Sequence, residues 1–472
     1  MTTATFSERC LEAMSPIVVK EVRQGLRAKV FGFFFGALLL VCLSLALLAF
    51  AQGRDLFGEP LGKKYFADYL AALGAVCFFV IPFGAFRSMS RELEDETWVL
   101  LTLTGLGALS VTRGKWVSAM TQALLFGSAC APFVLFSYFL SGVDLLQIAV
   151  SLALCATWSA MLTAFALGLA TQAHGKLGRT LAHLVVLAVL GLGAAGGIAF
   201  AFVLANRGAR LVTEPGFRNL VIALGLFSSV LTVLALEGAA ASLALPSESA
   251  SRRPRIALVL VTGVALVFGP GAFLHDGGRG TDAVAGQVLT CLFLAIAGGF
   301  CVSERDGWPR ATAHRGWLKP GALRSFGLAL ALLLASSLVW GVLGATADRP
   351  FDPRHVRAFC GAALYPAFYL SLGVVLGRWT ALARLGEPVA TRVAFLGAIV
   401  VGTALSMALA QLVHGRAVGG LMNTFNPFIG LANLLDNGND DSTAIVLLLL
   451  VGTLAGMSFA VAALRERDQV RA

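Results

Sequence analysis

Long apolar runs recur along the chain, and Lys, Arg, Asp and Glu collect in the short segments between them. A helix that crosses a bilayer needs about 20 predominantly apolar residues. Twelve runs reach that length, near 30–51, 69–87, 117–141, 145–173, 181–205, 219–245, 256–274, 281–302, 326–347, 356–377, 393–413 and 444–464. The fourth is long enough to include an interfacial segment. The fifth carries a Gly-rich stretch from Gly191 to Gly197 that weakens it as a plain helix.

Composition turns this pattern into a class. The 472 residues are 57% hydrophobic and 13% charged, with a mean hydropathy of +0.81. Soluble domains carry about 25% charged residues, and a compact shape still needs a polar skin. The reading is an all-α polytopic membrane protein, and it excludes a soluble enzyme, a disordered chain and a secreted disulfide scaffold. The net charge of +10 does not point to nucleic acid, because the basic residues punctuate the ends of apolar runs instead of forming one patch. If the N-terminus is cytoplasmic, 25 of the 36 Lys and Arg fall on that side, as the positive-inside rule requires. Twelve spans then place both termini in the cytoplasm. No cleavable signal peptide is expected, since the first 29 residues are polar and carry five basic side chains.

The polar stretch Leu245–Pro254 divides the spans six and six. The expected organisation is a cytoplasmic tail with an amphipathic helix over 1–29 and a six-helix domain over 30–245. A cytoplasmic linker over 246–255 and a second six-helix domain over 256–472 follow. An even division gives both halves the same orientation, as in a parallel repeat.

Catalytic and metal-binding patterns are absent from the sequence. The Gly-Lys pairs at Gly62, Gly114 and Gly175 lack the upstream Gly and following hydroxyl of a phosphate loop. The six His are scattered, and none of the eight Cys forms a Cys-x-x-Cys pair. The run Asp436–Asp441 has its Gly misplaced for a calcium loop and reads as a solvated turn. Glu237, in the sixth run, is the one clear ionisable residue well inside a span, and such a charge is a functional candidate by default; lying about eight residues from the cytoplasmic end of its helix, where water can reach, it also reads as a structural or packing residue.

Two polar segments carry more information. From Ser15 to Lys29, Ser15 and Pro16 suit the cap and first position of a helix. Val18, Val22 and Leu26 then share one face, with Lys20, Arg23, Gln24 and Arg27 opposite. Such a helix is expected to lie at the bilayer surface, apolar side in lipid and cations at the headgroups. In the second segment, 90–116, Glu92, Glu94, Asp95 and Glu96 crowd what reads as the start of a short amphipathic helix, suiting its N-terminal dipole. Taken alone this is a solvated charge run; an acidic knob of this density also suits a docking surface for a basic partner.

Together the two segments resemble the membrane subunits of type-2 ABC transporters, the exporter-type permeases. Members often begin with an Asn/Ser-Pro-Ile-x-x-Lys-Glu-x-Arg-x-x-x-Arg "elbow" helix. Ser15, Pro16, Ile17, Lys20, Glu21, Arg23 and Arg27 match it. They continue with a Glu-x-Glu-x-Gly-Thr loop ending in Gly-Lys before the third span, which Glu92, Glu94, Thr97, Leu101, Thr104, Ser110, Gly114 and Lys115 follow. Glu96 stands where Gly is usual, and Gly105 where Pro is frequent. The resemblance covers about residues 15–245; the second half matches only in having six helices.

The resemblance implies a multi-pass permease of the bacterial inner membrane, without a nucleotide site or cofactor of its own. ATP-Mg would sit on a separate ATPase pair, contacted by the loop bearing Glu92 to Thr97, and a second permease copy is a possible further partner. Closure of the ATPase would push that loop and open an outward pathway between helix bundles; which substrate would pass stays open. Two other classes remain beside this reading. One is an ion-coupled secondary transporter using Glu237, and the other a non-transporting membrane scaffold or assembly protein.

Overall fold

A computed structural model describes residues 16–52, 61–95, 107–140, 142–172, 175–208, 210–243, 252–273, 280–303, 322–377, 387–414, 424–435 and 442–471. Among them the regular elements are helices, with no strand. Twelve helices are long and apolar enough to cross a membrane, so the chain is a multi-pass helical membrane protein. The chain divides into two compact units, Met1–Ala244 and Leu245–Ala472.

The first unit holds α1 (Pro16–Arg27), α2 (Lys29–Gln52), α3 (Leu61–Glu94), α4 (Ala108–Phe139), α5 (Leu145–Ala170), α6 (Gly175–Arg207), the single turn α7 (Arg210–Thr213) and α8 (Pro215–Leu243). Hydrogen bonds between helix ends fix their alternation. At one end, Tyr65 at the start of α3 donates to Gln52 at the end of α2 (2.6 Å). At that end of α5 and α6, the buried Gln147 amide donates to the carbonyls of Leu204 (2.7 Å) and Ala205 (3.2 Å). At the opposite end, Ser242 of α8 donates to Thr171 at the close of α5 (2.7 Å). The α4–α5 turn relies on Gly142, whose φ of 91° few side-chain-bearing residues adopt.

Helix α3 is the most enclosed span of the unit and packs on α2, α4, α5 and α6. It passes through a π turn at Val76–Val80, immediately before Pro82, which cannot donate to the preceding turn. The irregular turn is covered by Ser159 of α5, whose hydroxyl donates to the Cys77 carbonyl (2.8 Å). The Gly-rich stretch of α6 is helical throughout. There Gly193 and Gly197 serve close packing: a Cβ on Gly193 would meet Leu162 at 2.6 Å, and one on Gly197 would meet Phe78 and Trp158 within 2.7–2.9 Å. In contrast α2 turns Phe33, Leu40, Leu47 and Phe50 outward, an apolar surface suited to lipid.

Helix boundaries differ from the sequence expectation around residues 87–116. Nothing in Arg87–Glu94 breaks a helix, so α3 runs on to Glu94, and α4 already starts at Ala108. Glu92 and Glu94 therefore occupy the last turn of α3, not the first turn of a new helix. A helix C-terminus repels carboxylates, so the dipole disfavours them there, and other groups must compensate.

The second unit contains α9 (Arg252–Phe273), α10 (Gly280–Val302), α11 (Ala322–Thr346), α12 (Pro353–Leu376), α13 (Glu387–His414), α14 (Pro427–Leu435) and α15 (Ser442–Arg471). Helices α10 and α12 lie at its centre. Trp340 is 1% exposed and donates to Thr290 (3.2 Å), and Gln287 donates to Ser337 (2.8 Å). Asp352 caps α12 in a reciprocal box with His355, and Asn426 caps α14 through the amides of Phe428 and Ile429. Arg255, expected in the inter-domain linker, is instead enclosed in the first turns of α9, where it donates to Ser325 (2.6 Å).

Candidate functional site

At one end of the first unit, charged side chains from several helices join in one network. Lys115, near the start of α4, is only 3% exposed. Its ammonium donates to Glu92 of α3 (2.8 Å), Ser88 of α3 (2.9 Å) and Glu21 of α1 (3.2 Å). An ammonium has three N–H donors, and each has an acceptor here. A buried cation persists only when paired and hydrogen-bonded in this way. Lys115 also supplies the positive charge that the acidic end of α3 requires.

Around this centre the neighbouring helix ends are tied together. Glu94 pairs with Arg179 of α6 at 3.5 Å, with both side chains 37% exposed. Arg113, half a turn before Lys115, donates to Glu237 near the end of α8 (3.0 Å). Glu237 is thus an ion-pair partner close to the helix end, its side chain 9% exposed against 57% for Arg113. Trp116 donates to the Ala160 carbonyl of α5 (3.1 Å), adding that helix to the same region. Polar groups from α1, α3, α4, α6 and α8 consequently meet at one end of the bundle.

Helix α1 is docked onto this end by both charge and shape. It packs on α4, where Gly25 lies so close that an added Cβ would run into Gln122. Val18, Glu21, Val22, Gly25 and Leu26 are half-buried, while Lys20, Arg23, Gln24 and Arg27 are exposed. The expectation that the valines and leucine face lipid is modified accordingly, because part of that face is used against protein. Pro16 opens the helix, as its fixed φ favours, while Ser15 lies outside the described residues.

Among the acidic residues singled out from the sequence, Glu92 and Glu94 are engaged within the chain. Asp95 ends α3 and is exposed, its amide donating to the Arg91 carbonyl (2.9 Å). Gly114 is buried in α4 beside Lys115. Glu96, Thr97, Leu101 and Thr104 lie outside the described residues, as does the Asp436–Asp441 run. Sequence reasoning missed Ser88, Arg113 and Arg179 as network members. Their partners are 27, 124 and 85 positions away, a separation that periodicity cannot bridge. Among the described residues no cluster of His, Cys, Asp and Glu could hold a metal ion.

Set against protein-family models, curated proteins and solved structures, the chain matches none.

Proposed function

We propose that the chain is the membrane-spanning permease subunit of an ATP-binding cassette transporter of the exporter type, seated in a bacterial cytoplasmic membrane with both termini cytoplasmic. A separate ATPase pair would hold ATP-Mg and supply the energy. One observation carries the reading: Lys115 joins Glu21 and Glu92, so the two segments with permease-like sequence meet in a single buried network. A subunit driven from outside needs a stiff connection between its contact loop and its spans. Here a push at the end of α3 would pass through Lys115 to α1 and α4, and through Glu94–Arg179 to α6. The exposed Asp95, followed in sequence by Glu96, is the part of the acidic cluster left to meet a basic partner surface.

The test is gentle purification of the tagged full chain from its native membrane, identification of co-purifying proteins, and an ATP-hydrolysis assay. A stoichiometric ATPase bearing phosphate-loop motifs is expected, and its recovery should fall at least tenfold with Asp95→Lys plus Glu96→Lys. These positions are chosen because a charge reversal at Glu92 would set two cations together in the fold. Recovery without any ATPase, under conditions that keep other membrane complexes intact, would overturn the proposal.

A further inference from the structure

The outward face of α1 carries charge that the charge network does not use. Lys20, Arg23 and Arg27 follow one another at helical spacing and are exposed, with Gln24 among them. Lys29, exposed at the start of α2, extends the row after a one-residue break at Ala28. Lys20, Arg23, Gln24, Arg27 and Ala28 line one open hollow along the helix. Among the described residues no carboxylate pairs with these cations, whereas Lys115, Arg113 and Arg179 of the network are each paired. The one carboxylate of α1, Glu21, is taken by Lys115. Like charges one helical turn apart, such as Arg23 and Arg27, repel and weaken a helix, so a counter-charge on this face would stabilise it. Part of the apolar side of α1 lies against α4, which leaves the cationic face as the one turned outward. Immediately beyond it, Val30 and Phe33 of α2 are 61% and 69% exposed, at the start of a helix long and apolar enough to cross a membrane.

We infer that this face is a seat for an anionic phospholipid, its headgroup on Lys20, Arg23, Arg27 and Lys29 and its acyl chains against Val30 and Phe33. Both halves of the ligand are read from the surface. Cations without a partner call for an anion, and each contributes about fivefold beside an anionic bilayer surface. The adjoining exposed apolar side chains call for hydrocarbon, which a nucleic acid or a free phosphate lacks. Because Glu21 of the same helix is bonded to Lys115, a lipid in the seat holds α1 against the charge network. The seat depends on α2 being a span and not on whether an ATPase drives the chain.

The full chain in detergent micelles is titrated with dioleoyl phosphatidylglycerol and with dioleoyl phosphatidylcholine, and lipid-bound species are counted by native mass spectrometry. Phosphatidylglycerol should be preferred by at least about tenfold. The triple variant Lys20→Gln, Arg23→Gln, Arg27→Gln alters only exposed side chains, so its size-exclusion profile should be unchanged while the preference is lost. Arg252→Gln with Arg253→Gln removes exposed cations from the start of α9 in the second unit and should leave the preference intact. An excess of glycerol phosphate, which has the anion without the chains, should not displace the lipid. In phosphatidylcholine nanodiscs, added phosphatidylglycerol should slow amide exchange over α1 in the native chain and not in the triple variant. Equal affinity for the two lipids overturns the proposal, as does a preference that survives the triple variant or is lost equally with the Arg252 and Arg253 changes. Displacement by glycerol phosphate, or exchange over α1 that ignores phosphatidylglycerol, overturns it too.

Discussion

Replacing Lys115 by Met gives a sharp test of the charge network. Met keeps most of the stem's volume but removes the ammonium, leaving Glu21 and Glu92 without their shared cation. Their side chains are 11% and 18% exposed, so water compensates little. Removing one partner from a buried ion cluster costs about 3–5 kcal/mol, because the remaining charge stays in a poorly solvating site. Two carboxylates of like sign near the C-terminus of α3 place the expected cost at the upper part of that range. The triple variant Lys115→Met, Glu21→Gln, Glu92→Gln removes all three charges and should lie within about 1–2 kcal/mol of the native chain. Reversible unfolding in mixed micelles, followed by Trp fluorescence, measures both. Amide hydrogen exchange over α1 should rise in the single variant, since its polar tie to α4 is lost. A single variant costing under about 1 kcal/mol, or a triple variant costing as much as the single, would refute the reasoning.

The remaining predictions concern other parts of the fold. Glu237→Gln should cost no more than about 1 kcal/mol, because its partner Arg113 is 57% exposed and can turn to water. Arg113→Ala should cost more than Glu237→Gln, since it strands the enclosed carboxylate; the same unfolding assay ranks the two. Gln147→Leu removes the donor to the Leu204 and Ala205 carbonyls and is expected to lose about 1–2 kcal/mol. Gly286→Ala drives a Cβ into the indole of Trp340, a fully packed side chain, and should destabilise by about 1–3 kcal/mol in thermal unfolding. Gly286→Ala combined with Trp340→Phe should recover part of that loss, less the hydrogen bond to Thr290.

The twelve helices of spanning length among the described residues were written in one-dimensional information. Apolar runs of spanning length have no alternative in a bilayer but to satisfy their backbone groups as helices, so hydropathy alone recovers them. The helical character of Pro16–Arg27 was equally legible, from a Pro at the first position and an apolar stripe of helical period. Boundaries were harder. The stretch 87–95 looks like a loop by hydropathy because it is polar. Yet it holds no Gly or Pro, and such a sequence continues a helix readily, which is how Glu92 and Glu94 come to end α3.

The sequence by itself thus determined the class, the runs long and apolar enough to span and which polar residues stood out. It could not say what those residues touch. Glu237 reads in one dimension as a lone membrane charge, whereas its Arg113 partner comes from 124 positions away. Lys115 reads as a cation before a span, whereas it is the buried centre to which α1 and α3 are tied. Helix formation depends on residues a few positions apart, and the chain fixes those neighbours. Charge pairing depends on side chains from different helices, and only the packing of the bundle brings those together.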